Sequence, residues 1–160
     1  MKAFFLALAL VLGFAASASA QSLTITGLDG KTTVLQASDL ADLPRGTVTV
    51  TGKDGPQVYE GPIISYVLRA AGQPVGPKLH GDPQKAYVVV KGSDGFWGVF
   101  SLAELDKDFH SDTVILADHM DGKPLPAKEA PWRLASSGDK KGWRSVFAIT
   151  SITLKMATAP

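Results

Sequence analysis

Cysteine is absent from all 160 residues. A folded domain of this chain therefore has no disulfide, no thiolate nucleophile and no thiolate metal ligand, and must be held by its core. An excess of one charge is missing too. Lys and Arg number 16 against 15 Asp and Glu, and setting Lys2 aside leaves 15 of each. That balance speaks against a nucleic-acid binder or a protein held to an anionic membrane surface. No GxGxxG, Walker loop, HExxH or GxSxG occurs, so the common signatures for dinucleotides, nucleotide phosphates, zinc proteolysis and serine hydrolysis are lacking. His80, His110 and His119 lie far apart, without HxH or HxxxH spacing, and read as loop histidines rather than metal ligands.

Long apolar runs are scarce as well. The one present, Phe4 to Ala16, follows Lys2 and precedes Ala18-Ser19-Ala20. A basic start, an apolar stretch and a small-residue A-x-A site form an export signal. At 13 residues the run is too short to span a bilayer, which takes about 20 helical residues. The expectation is cleavage after Ala20, removing 1–20 and leaving 21–160 as one soluble domain in the periplasm, with no membrane insertion. The mature length suffices for a real core.

What is present alternates. Ser22 to Gly27 and Thr32 to Leu35 flank Asp29-Gly30, a hairpin signal. Ser38 is placed to cap the short helical turn DLADL, which Pro44 stops. TVTVT (Thr47 to Thr51) reads as a half-buried strand with Val48 and Val50 inward. Pro62 suits a helix start, and Ile63, Ile64, Val67, Leu68 and Ala71 fit one helical face ended by Gly72. AYVVV (Ala86 to Val90) reads as a central strand. Ser93-Asp94-Gly95 turns the chain into FWGVF, where Phe96 and Phe100 share one face and Trp97 and Val99 the other. Ser101 caps LAEL. Val114 to Ala117, Trp132 to Ala135 and Val146 to Leu154 read as further strands. Mostly strands with two or three short helices, without regular βαβ alternation, predict an α+β fold.

Chemistry concentrates late in the chain. The turn SSGDKKGWR carries two glycines, three cations by Arg144, hydroxyls and the indole of Trp143, a composition suited to an anionic or heteroaromatic ligand or simply to a solvated loop tip. Trp132 sits in an apolar strand and reads as core. Trp97 and Trp143 each have a glycine beside them that leaves room above a ring, and each also has the plain reading of an aromatic closing the core edge. Asp118-His119 near Ser136 or Ser137 lacks a nucleophile elbow and carries no hydrolase.

The order YEGPIISYVLRAAG, YVVVKGSDGFWGVFSLAEL, ILADHMDGKPLP and APWRLASSGDKKGWRSV resembles the oxidoreductase molybdopterin-binding domain of the sulfite oxidase family, from Leu23 to Leu154. Its pieces are an A-x-x-x-(N/D)-G-x-P-L-P turn from Ala117 to Pro126, a P-x-R-L strand and a G-x-R-S-V segment. The resemblance implies an α+β fold with a mixed β-sheet and a few short helices, and a pterin ring lying against these loops. It also implies a molybdenum held by one cysteine on the segment that here is TVTVTGKDG, and that cysteine is missing. Glu129-Ala130 replaces the family's His-Gly, and Phe147-Ala148 replaces a Lys-Trp whose Lys helps hold the cofactor phosphate. Arg133, Arg144 and Ser145 match.

The resemblance thus implies a non-catalytic periplasmic pterin-binding module with no tightly bound cofactor, the ligand-sensing partner of the periplasmic domain of a membrane sensor. A molybdopterin-dependent oxidoreductase using an oxygen or nitrogen ligand and an inert protein-interaction scaffold are the alternatives. The expected site is one pocket. Trp97 and Trp143 would stack on the pterin, Asp118 and His119 would meet its edge, and Arg133, Arg144 and Ser145 would hold an anionic tail. Export gives a direct check: mass spectrometry of periplasmic protein should find Gln21 as the first residue, and a soluble form retaining 1–20 would contradict the expectation.

Overall fold

In the computed structural model, which describes residues 21–159, strands dominate. Eleven strands and two short α-helices occur among those residues, so the α+β expectation holds with a predominance of β. The segment 1–20, expected to be an export signal, lies outside the described residues.

Strands β1 (Ser22–Thr26) and β2 (Thr32–Gln36) form the hairpin that Asp29-Gly30 announces, with Gly30 at φ 76°. β2 runs directly into α1 (Ala37–Ala41), whose cap is Gln36 rather than Ser38. The Gln36 N–H donates to Asp39 Oδ2 at 2.7 Å, so the carboxylate at the third helical position satisfies the entry and leaves Ser38 inside the first turn. β3 (Arg45–Gly52) and β4 (Gly55–Pro62) pair antiparallel, with Val48 and Val50 buried as expected. α2 (Ile64–Ala70) buries Ile64, Val67 and Leu68.

The remaining strands are β5 (Ala86–Gly92), β6 (Trp97–Ser101), β7 (Val114–Ala117), β8 (His119–Met120), β9 (Lys123–Pro124), β10 (Arg133–Ser136) and β11 (Ile149–Met156). They assemble into a five-stranded mixed sheet, β2-β1-β11-β5-β6, a pair β10-β7, and a four-stranded sheet β3-β4-β8-β9. Only β1 and β11 run parallel among the described pairings. The last strand starts at Ile149 and not at Val146. Residues before it are tied elsewhere, the Val146 carbonyl accepting from Leu134 N–H at 3.0 Å and Ala148 N–H donating to the Glu129 carbonyl at 2.9 Å.

The apolar run VILA lies between two cores. Val114 and Leu116 pack into the core formed with the five-stranded sheet and α2, while Ile115 and Ala117 pack against β3 and β4. Period-2 alternation in a strand sends neighbours to opposite faces, so a middle layer needs apolar residues at every position. β10 and the residue before it share the arrangement: Trp132 and Leu134 enter the first core, and Ala135 the second. β5 departs from its apolar appearance. It lies inside the sheet between β11 and β6, but its buried side chains are Ala86, Val88 and Val90, while Tyr87 and Val89 stay half-buried on an uncovered outer face.

The layers meet closely at Gly61. A Cβ there would stand 2.6 Å from Ala117 Cα and closer still to the Leu116 carbonyl oxygen. Backbone on both sides leaves nothing to give way. Gly61→Ala should cost about 3 kcal/mol through overpacking, read as a lower urea midpoint at unchanged slope; a midpoint equal to the parent's would refute this close-packing account.

Candidate functional site

The guanidinium of Arg133 is the centre of the region. β10 places it on the side facing β3 and β4, where Arg133 is 5% exposed. A buried cation needs partners. Nη1 donates to Glu129 Oε2 at 2.9 Å and to the Tyr59 hydroxyl, and Nη2 donates to Ser145 Oγ at 3.2 Å. The rings of Tyr59 and Phe147 lie 4.1 Å and 4.6 Å from its Cζ. Nε alone has no hydrogen-bond partner among the described residues. Burial pushes the Tyr59 phenol pKa up despite the neighbouring cation, which keeps its proton available to Gln57 Oε1, 3.1 Å away.

Above this ion pair opens a cavity of about 390 Å³. Its walls are the end of β3 and the following turn (Val50 to Lys53), Gln57, Lys128 and Glu129, Arg133, and the segment Lys141 to Trp143 with Phe147. Trp143 stands on a single 3₁₀ turn (Gly142–Arg144), 79% exposed, with Lys141 Nζ 4.5 Å from its ring centre. Gly142 allows close packing there, since a Cβ would come 3.3 Å from Val50 Cγ1. Lys53, Lys128 and Lys141 take part in no ion pair among the described residues. The cavity thus has a compensated floor, an aromatic rim and three free cations.

Of the seven expected residues, Arg133, Trp143 and Ser145 come together here. The other four do not join them. Trp97 lies on the outer face of the five-stranded sheet, 56% exposed, beside Tyr87, Val89 and Val99. Its strand phase is as read, but the face opposite Phe100 turns to solvent. Arg144 points away from the cavity, held by Glu104 at 2.6 Å and Asp139 at 2.8 Å, with its Cζ 4.8 Å from the Phe100 ring centre. Asp118 and His119 line a separate cleft of about 510 Å³ with Arg45 and Trp132. There Arg45 grips Asp118 with two hydrogen bonds of 3.0 Å and 2.5 Å, and His119 Nδ1 stands 2.6 Å from Asp118 Oδ1. Asp94 is a turn former, accepting from Phe96 N–H at 2.9 Å.

Tyr59, Lys53 and Lys128 carry no sequence signal for a site, and Lys141 enters only as one of the three cations of the SSGDKKGWR turn. Glu129 and Phe147 were visible there as departures from the family pattern, and both line the cavity.

The profile of the family described as "Oxidoreductase molybdopterin binding domain" matches residues 13–160. The chain belongs to that family. Among solved structures it resembles the sulfane dehydrogenase SoxCD of Paracoccus pantotrophus, with a TM-score of 0.64 and 22% identity. The likeness covers 84% of this chain and 38% of that one, and it shows the sulfite oxidase-like fold. Among curated proteins no sequence matches.

The residues present do not fit the family's thiolate-held metal. The TVTVTGKDG segment does line the cavity, through Val50, Thr51, Gly52 and Lys53, but brings hydroxyl, main chain and ammonium. Among the described residues no cluster of three or more His, Asp or Glu forms a substitute. The organic part of such a cofactor is a different matter, because a flat ring and an anion both find partners here.

The Asp118 cleft yields a pH prediction. Burial alone would raise the Asp118 pKa, but the bonds from Arg45 and His119 outweigh it and hold the carboxyl below its ordinary 3.8. A lowered folded-state pKa contributes stability above the ordinary value and loses it as pH falls through the folded one. Asp118→Asn should therefore cost about 1 kcal/mol at pH 7, given partial exposure, with the gap to the parent narrowing near pH 3. Urea unfolding at both pH values checks this; an equal gap would contradict it.

Proposed function

We propose that this chain is a periplasmic, non-catalytic pterin-binding module, the ligand-sensing partner of a membrane signalling protein. The observation that carries the reading is the cavity at the end of β3. It combines an exposed indole, a buried Arg133–Glu129 floor and three unpaired lysines, and lies against the segment where a metal-anchoring cysteine is lacking. Aromatic faces and cations suit a planar heterocycle with an acidic tail. A ring held without a thiolate-anchored metal gives recognition rather than oxygen-atom or electron transfer. The leader-like start of the sequence supports the location, and the balanced charge agrees with a small-molecule ligand rather than a nucleic acid.

A second reading, a molybdopterin-dependent oxidoreductase, draws on the family name and on a neighbour titled a dehydrogenase. This chain spans 38% of that neighbour. A stoichiometric molybdenum content together with substrate turnover would favour it.

Titration of oxidised and reduced pterins against intrinsic tryptophan fluorescence tests the binding. The parent should show a saturable response. Trp143→Ala should weaken binding by about 1–3 kcal/mol, or about five- to 150-fold, through loss of stacking. Trp97→Ala, on the far face, should leave the affinity unchanged. Absence of a saturable response to every pterin would leave the inert scaffold as the better description.

A further inference from the structure

Glu129 has an oxygen to spare. Its residue is 5% exposed, and the carboxylate forms part of the floor beneath Trp143. Arg133 Nη1 is the donor to Oε2, and the Tyr59 hydroxyl stands near the carboxylate but gives its proton to Gln57 Oε1, so Glu129 Oε1 keeps acceptor capacity. A carboxylate offers about four acceptor positions, and a buried one gains from each donor it meets. The three lysines at the rim also line the opening, yet none reaches this floor to pair with it.

We infer that Glu129 reads the edge of the ligand's ring, and that it selects heterocycles carrying two adjacent N–H donors, the 2-aminopyrimidin-4-one edge. The inference rests on the pterin-binding reading and specifies which part of the ring enters first. Three features impose that orientation. The carboxylate at the floor, already balanced by Arg133, leaves no open cation for an anionic tail and accepts from donors. The rim lysines attract the tail and leave it at the mouth. Trp143, rising beside the opening, has one face toward Lys141 and its ring free to lie against a plane entering between mouth and floor. A ring whose 2-amino group is replaced by a carbonyl would bring an acceptor oxygen against the carboxylate. A buried acceptor left unpaired is disfavoured more than a missing contact at the surface.

The test compares pterin (2-amino-4-oxopteridine) with lumazine (2,4-dioxopteridine) on the intact mature protein, by tryptophan fluorescence and calorimetry. The two ligands differ at the one group that faces Glu129. The parent should prefer pterin by about 10- to 150-fold, the range expected for a hydrogen bond to a charged group. Glu129→Gln should abolish most of that preference while lumazine affinity stays level or rises. Equal affinity of the parent for both ligands would overturn the edge assignment and leave the pterin reading standing. A preference that survives intact in Glu129→Gln would do the same. Binding of neither ligand would overturn both. The parent comparison needs no variant, so poor folding of Glu129→Gln leaves the inference testable.

Discussion

A guanidinium buried inside a domain has to be neutralised where it stands, and much of this region is arranged to do so. Arg133 is reached by Glu129 from the loop before its own strand, by Tyr59 from β4, and by Ser145 and Phe147 from the segment leading to β11. Three stretches, two of them remote from β10 in sequence, converge on one cation. Deleting one member of such a pair leaves an uncompensated charge, which costs on the order of 3–5 kcal/mol, even though the pair itself adds little over a well-packed apolar substitute. The pair therefore fixes geometry more than it adds stability. The same constraint explains why residues 145–148 do not extend the last strand, since Ala148 N–H and Val146 C=O are used to clamp this segment onto Glu129 and β10.

The cation sits where it does because of the layers. β7 and β10 lie between two cores, so their side chains alternate toward the large sheet and toward β3-β4. Arg133 falls on the second side, beside Ala135 and across from Ala117. Small residues at those two positions leave room for a long side chain at a layer boundary. The second core is the smaller of the two, and its open end is the cavity. The candidate site occupies the place where apolar packing runs out.

The fold was largely legible from local signals. Asp29-Gly30, the TVTVT alternation and the VILA run each specify their element through short-range chemistry, and the family motifs supplied their assembly. The site was legible only in part. Arg133 and Trp143 could be picked, but Arg144 is held by Glu104, 40 residues away, and Asp118 by Arg45, 73 residues away. Such long-range ion pairs leave no trace in local pattern. Trp97 shows the other difficulty, for alternation says that Trp97 and Phe100 face apart and not which face is covered. Glu129 and Phe147 read as two separate losses against the family pattern. In three dimensions they form one replacement, a carboxylate and a ring on the same guanidinium.

That replacement alters what the cavity attracts. An arginine left open at the floor would draw an anion inward, but Glu129 already fills that role from within the chain. The attraction for anions passes to Lys53, Lys128 and Lys141 at the mouth, where water and salt screen it over a Debye length of about 8 Å at physiological ionic strength. The floor, with Glu129 and Arg133 nearly inaccessible, is screened far less. For the proposed ligand, recognition of the ring edge would thus be decoupled from recognition of the tail. The first is short-ranged and tolerant of salt, and the second is long-ranged and weakened by it. Under the proposed reading a ligand would be drawn in by the rim and discriminated at the floor, so the two halves of the candidate site would divide encounter from specificity.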